Sequence, residues 1–525
     1  MKTTFIAQLT IVCFCLYFCA LTSYAQCPDD DVVFRDQADI DAFKTQYPNC
    51  KNLKENLFIT SSDDIVDLSG LTQIRTIRLQ LFIRGNDALI SLNGLDSLFQ
   101  IGTELVIENN PVLQSLQGLG NLKTVGSDCM IESNPVLSSL QGLDALESIG
   151  GNLWLFGDDA LSDLSGLGSL QDIGESLLVK SNKNLRDFSG IGALDSLGGS
   201  LDIADNPELI DFTGLESLRQ IDEFLMLIEN PKLFNMQGLN GLASIGRRLA
   251  LLNSHSIQSF SGLDNLTQIG DGLLIWRNQQ LKNCLGLEAL EEIGGYGLSI
   301  SNNENLNQLS GFTSLREINF LTIETCPQLI DLQGFESLIR INGGLQIQNN
   351  QNLESFRGLE YLLSGSLNNF LAITQNPTLS DISSLERIIQ TDTISIQYNP
   401  SLSQCEIQTV CNQLEKMPDA VAISNNLAGC NTQAEVLLAC AQKPDPVQFE
   451  FRLFPNPSRG TLFLEINSEL LTITQVDLID MQGKILSRTS TIPDYFDLSA
   501  LNIGLYCLIL YTEDGRTIQE KILLE

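Results

Sequence analysis

Acid–base or nucleophilic chemistry needs a proton acceptor held beside its partners, and the 525-residue chain has one histidine, His255. A Ser-His-Asp or Cys-His site built on it would have to find its other members at one level of a repeated structure. His255 falls next to a corner of that structure and reads as a turn residue. The 64 carboxylates form no isolated pair. A lyase or glycosidase on a β-helix would need Asp, Lys or Arg clustered along a groove, and no such cluster stands out. No glycine-rich loop follows a strand and opens a helix, so no phosphate cradle is expected. Asp-rich turns such as Gly157-Asp158-Asp159 lack the ligand spacing of a calcium site, and the cysteines lack the paired knuckles of a zinc site. No catalytic residue, metal or cofactor is expected.

The elements that would position any site come from a fixed beat. Gly70, Gly94, Gly118, Gly142, Gly166, Gly190, Gly214, Gly238, Gly262 and Gly286 follow one another at 24-residue steps. The beat continues more loosely at Gly311, Gly334, Gly358 and Ser384. Such a period means one short supersecondary unit stacked many times. Aligned units read Leu-x-Ile-x-x-Asn-Pro-x-Leu-x-x-Leu-x-Gly-Leu-x-x-Leu-x-x-Ile-Gly. The first and third positions, as in Leu105 and Ile107, share one strand face and stay apolar at every level from Leu57 and Ile59 to Val421 and Ile423. They point inward, and sixteen such segments can be counted. Three residues after the second inward position comes Asn, as at Asn86, Asn110, Asn134 and Asn206. An inward Asn at a corner satisfies backbone groups of its own and the next coil.

The outward positions change along the array, which the stack itself does not require. In register with Val106 stand Phe58, Phe82, Met130, Trp154, Leu178, Asp202, Met226, Ala250 and Leu274, followed by Ser299, Thr322, Gln346, Ala372 and Ser395. The next outward column carries Phe156, Ile228, Leu252 and Trp276, then Ser301, Glu324 and Gln348. An apolar sheet face on the first ten or so coils lowers solubility unless something covers it. Trp154, Phe156, Leu178, Met226, Ile228, Leu252, Leu274 and Trp276 are therefore the candidate anchors for a protein or glycan partner.

The ends of the chain carry the address. Met1-Lys2, an apolar run from Phe5 to Cys19 and Ser23-Tyr24-Ala25 make residues 1–25 a secretory signal peptide cut before Gln26. No other apolar run reaches about 18 residues, so no transmembrane segment is expected in the mature protein. A formal net charge of −34 disfavours nucleic acid and anionic lipid as partners. In an oxidising compartment, Cys27 and Cys50 before the repeats form one staple, and Cys405, Cys411, Cys430 and Cys440 after them form two more with three connectivities open. Asp36 with Ile40, Phe43 and Tyr47 predicts a short capping helix. Ser403 with Glu406 predicts a capping box for a second helix, and Thr432 with Glu435 opens a third.

The repeat consensus resembles the receptor L-domain family, relatives of leucine-rich repeats, over about Leu57 to Cys440. That resemblance implies a right-handed parallel β-helix, and its members bind many unrelated ligands. The fold expected is thus all-β: about sixteen 24-residue coils with small helical disulfide caps, followed by an Ig-like β-sandwich. The order is an N-terminal cap over 26–56, the solenoid over 57–403, a stapled cap over 404–442 and a linker over 443–448.

Residues 449–525 alternate like sandwich strands. Leu453-Phe454-Pro455-Asn456-Pro457, Asp480 with Gly483, Gly504 with Tyr506, and the terminal Lys521 resemble type IX secretion sorting domains. The resemblance implies a Gram-negative bacterium, the type IX machinery as a partner, and delivery to the outer surface or the medium with removal of the tail. The expected function is recognition or adhesion through an unknown extracellular protein or glycan. A structural surface coat and a carbohydrate-active β-helix enzyme are the alternatives.

Overall fold

The computed structural model describes residues 26–362, 367–443, 451–455, 458–466, 473–480, 484–490, 493, 495–512 and 517–524. The signal peptide and most of the linker lie outside them. The protein is an all-β parallel solenoid of about sixteen turns with few helices and a separate C-terminal sandwich. It divides into two units, 1–218 and 219–525.

In the first unit, seven strands that begin at Leu57, Leu81, Leu105, Cys129, Leu153, Leu177 and Leu201 lie side by side in parallel. Their inward side chains are fully buried, because each coil alone has no core and must borrow one from its neighbours. The cap adds a strand of its own, Val32–Phe34, paired to Leu57–Ile59, which covers the raw edge of the sheet. Helix α1 (Gln37–Gln46) begins where the Asp36 carboxylate accepts from the Asp39 N–H at 2.9 Å, and it buries Ile40 and Phe43. Cys27 is bonded to Cys50.

A second parallel ladder runs along the Ile-Gly end of each repeat. Thr76–Ile77, Gln100–Ile101, Thr124–Val125, Ser148–Ile149, Asp172–Ile173 and Ser196–Leu197 pair in succession. Arg78 follows the first of these pairs and glycine each of the others, where the close approach of the coils requires it. A Cβ on Gly126 would sit 2.0 Å from the Gly102 carbonyl oxygen. Gly118 is constrained twice, by a φ of +112° and by the Leu92 carbonyl oxygen 1.8 Å from where its Cβ would be.

The corner asparagines form a continuous buried chain. The backbone N–H of Asn86 donates to Oδ1 of Asn110, that of Asn110 to Asn134, and that of Asn182 to Asn206, at 3.0–3.2 Å. Each Nδ2 reaches back to a strand carbonyl, as Asn110 does to Ile83 at 3.0 Å. The residue before each corner is left-handed, such as Asn109 with φ 54°. That bend turns the Asn inward and leaves its amide to replace the bonds that the strand no longer makes.

The second unit repeats this plan in nine strands, from Leu225–Ile228 to Val421–Ser424. Its cap contains α2 (Gln408–Lys416) and α3 (Gln433–Gln442). Cys405 pairs with Cys430 and Cys411 with Cys440, which selects one of the three connectivities. The capping box expected at Ser403 and Glu406 does not form. Helix α2 starts later, behind Ile407, with no side-chain cap. Cys405 lies inside the expected first turn and is tied to Cys430, while the Glu406 carbonyl is taken by Lys443 Nζ at 2.7 Å. Thr432 does cap α3, accepting from the Glu435 N–H at 3.2 Å.

The tail forms two antiparallel sheets. One holds Phe451–Phe454, Thr461–Ile466 and Phe496–Asp497. The other orders Ile485–Thr489, Ile473–Asp480, Gly504–Thr512 and Thr517–Leu524. Leu462, Val476, Leu508, Leu510 and Ile522 meet in its core. Asp477 is buried there because Arg488 grips both its oxygens at 2.6 Å, which holds its carboxyl below the usual range.

Candidate recognition face

The outward residues of the long strands form the candidate face, and each unit carries its own part. In the first unit Trp154 stands in register between Met130 and Leu178. Phe82 lies 5.9 Å from Phe58, ring centroid to centroid. Val106, also in this column, is buried and contributes little accessible area. The neighbouring column is largely charged, with Arg84 paired to Glu108 at 2.8 Å, then Glu132, Phe156 and Lys180. Phe156 is 39% exposed amid these charges. The apolar strip here is therefore one column wide, narrower than the sequence columns suggest.

Two features mark the surroundings of Trp154. Its indole Nε1 is buried and has no hydrogen-bond partner among the described residues, an uncommon state for an N–H that ordinarily finds an acceptor. Burial, helped by Glu108 and opposed by Arg84, raises the pKa of the Glu132 carboxyl. Lys180 bonds Asp202 at 2.5 Å, two coils beyond Trp154 on the same outward column.

The second unit carries a broader patch. Met226 and Ile228, Ala250 and Leu252, and Leu274 and Trp276 are paired in register across three coils, two columns wide. Ala250 is buried, and the larger side chains are half-buried. At the next coil Leu274 meets Ser299 and Trp276 meets Ser301, where the apolar surface ends. Inward Leu273 and Ile275 meet Leu298 and Ile300 across the same step. The core is unchanged while the surface changes.

Arginines rim this patch, a feature the column reading did not register. Arg277 lies 5.0 Å from the Trp276 ring centroid and Arg247 lies 4.8 Å from that of Phe224. Arg248 stacks on Tyr296 at 5.0 Å while bonding Asp271 at 3.3 Å. A guanidinium over a ring keeps its N–H edge directed outward. The signal was available in the spacing: Trp276 and Arg277 are adjacent, and Arg247 follows Phe224 by one repeat less one residue.

Other singled-out residues occupy plainer positions. His255 is exposed beside the corner residue Ser254. Cys129, Cys284 and Cys326 are buried free thiols, and Cys326 stands in the corner chain with its N–H donating to Asn350. In the tail, Pro455 follows the first strand, and Asp480 Oδ1 accepts from the Lys484 N–H at 2.8 Å. Gly504 begins a strand, Tyr506 is buried with its hydroxyl on the Asn502 carbonyl, and Lys521 faces Cys507 across the ladder. Asn456, Pro457 and Gly483 lie outside the described residues.

Parallel coils joined by a buried corner chain, with an antiparallel sandwich appended, define a parallel β-solenoid protein with a sandwich tail. Residues 319–416 match the receptor L domain family, and residues 452–525 match the secretion system C-terminal sorting domain. No curated protein matches the chain. The chain is thus a parallel β-solenoid with a receptor L domain match over residues 319–416, and its C-terminal sorting domain directs export by the type IX secretion system to the cell surface or extracellular space.

Proposed function

We propose that this exported solenoid is a non-catalytic binding or adhesion protein that recognises an extracellular protein or glycan through its outward strand face. The observation that carries the reading is the step from Leu274 and Trp276 to Ser299 and Ser301 while the inward residues stay aliphatic. Stacking needs the inward residues only, so the apolar outward ones answer to another requirement. Trp and Arg dominate binding hot spots and Met is enriched at interfaces, and the second-unit patch combines all three. Trp154, Phe156 and Leu178 serve the same role in the first unit. A glycan and surface-protein array probed with residues 26–442 tests the proposal. Saturable binding supports it; an inert chain favours a structural coat, and turnover of an arrayed polysaccharide favours an enzyme.

A further inference from the structure

A second departure from the repeat lies on the solenoid flank of the second unit. At the position following the Leu-x-x-Leu turn, Ala243, Thr267 and Glu291 are exposed, as solvent-facing residues of a coil should be. The same position then holds Arg316 and Ile339, and Ile339 is only 5% exposed. What buries it is the tail. Phe454, fully buried, packs with Phe463 against Ile339 and Tyr361. The rings of Tyr361, Phe454 and Phe463 stack in a row with centroid separations of 5.7 Å at each step.

Two solenoid arginines contact the tail here, one over this row and one beside it. Arg387 lies 5.8 Å from the Phe454 ring centroid. Arg316 donates from Nη2 to Thr461 Oγ1 at 2.9 Å and lies 6.0 Å from the Tyr495 ring centroid. The tether starts beside them: Lys443 Nζ bonds the Glu386 carboxylate at 2.5 Å, one residue from Arg387. Seven residues, 444–450, then separate Lys443 from the first tail strand. A tether of that length spans at most about 25 Å and gives an effective concentration on the order of millimolar, so even a small interface stays closed.

We propose that Arg316, Ile339, Tyr361 and Arg387 form a seat for the chain's own sorting domain, which is exported docked on the solenoid and bares the seat when it leaves. The contact holds Phe454, the residue directly before the Pro455-Asn456-Pro457 motif, against the cargo. Docking therefore hides the start of the sorting motif and one aromatic–arginine patch of the solenoid together.

Hydroxyl-radical footprinting of the intact chain, read as protection relative to the urea-unfolded chain, tests this. Tyr296 and Tyr398, 69% and 54% exposed, serve as internal references. Tyr361 and Phe454 should both be protected at least about fivefold more than those references. Arg316→Ala combined with Arg387→Ala alters only the solenoid side and should raise labelling of both residues while leaving buried Phe188 unchanged. Protection of Phe454 with Tyr361 labelled like Tyr398 would mean a folded but undocked tail and would overturn the proposal. So would unchanged Tyr361 labelling in the double variant.

Discussion

Asn134 presents both its backbone N–H and its side-chain amide to one carboxylate oxygen, Oδ1 of Asp158, at 2.8 and 3.2 Å. Asp158 stands where most corners carry Asn. At neighbouring corners Nδ2 donates to the carbonyl 27 residues earlier, as Asn134 does to Ile107 and Asn182 to Leu155. The equivalent carbonyl for Asp158 is Ile131, and the Oδ2 that takes the place of Nδ2 is buried without a partner. Only the protonated acid can donate there. Burial, the largest influence, with Glu132 and Asp159 nearby, pushes the Asp158 carboxyl up to about 7, against the hydrogen bonds from Asn134. Asp159 is itself paired to Lys183 at 2.6 Å.

The sign of the pH dependence follows. A carboxyl with a raised folded pKa takes up a proton on folding, so its stabilising contribution is complete below about pH 4 and is lost as pH rises through about 7. Asp158→Asn supplies the missing amide donor at every pH. The variant should gain on the order of 2 kcal/mol over the parent at pH 8 and little at pH 4 in denaturant unfolding. A difference between the two chains that does not grow with pH would contradict this reading.

Coil spacing makes a prediction at two glycines of the first unit. Gly126→Ala places a methyl against the Gly102 carbonyl and should cost about 2 kcal/mol. Gly120→Ala meets nothing within 4 Å and should be near neutral. Equal losses of stability for the two variants would show that coil approach is not what selects glycine.

Thiol chemistry should divide the cysteines sharply. Non-reducing peptide mapping is expected to find the pairs 27–50, 405–430 and 411–440, with Cys129, Cys284, Cys326 and Cys507 free. Burial raises the Cys129 and Cys326 thiols to about 12 and moves Cys284 the same way, so alkylation of the native chain should be confined to Cys507. Replacing Cys411 and Cys440 with Ser should cost about 3 kcal/mol in cap stability, read by hydrogen exchange of α3.

Much of this architecture is legible in the chain because each coil obeys the same demand. Inward aliphatic side chains recur at nearly every level and Asn at most corners, with Asp158, Ser254 and Cys326 as departures, so the pattern is visible. The two-residue ladder at Ile77, Ile101 and Val125 is harder to read, since two residues carry no alternation. The misplaced start of α2 has a different origin: Ser403 and Glu406 satisfy a local rule that the Cys405–Cys430 bond overrides. Asp158 differs from Asn by one atom type and shows its consequence only once Oδ2 is seen to be enclosed. The burial of Ile339 depends on a residue more than a hundred positions away, and no periodicity reports that.

The candidate face was legible as a break in columns, whereas its width was not. Register shows one apolar column beside Trp154 and two beside Trp276, with Arg277 and Arg247 at the rim. Trp276→Ser should therefore weaken binding more than Trp154→Ser, by about tenfold against a smaller change, in titrations with whichever arrayed glycan or protein binds.

The most direct measurement is saturable binding by the folded Trp154→Ser/Trp276→Ser double variant, compared with the unmodified chain on the same glycan and surface-protein array. Folding is checked by an unchanged unfolding midpoint. Loss of binding by the double variant is the result predicted for an outward face that recognises a partner. Full binding retained by a normally folded double variant would contradict it.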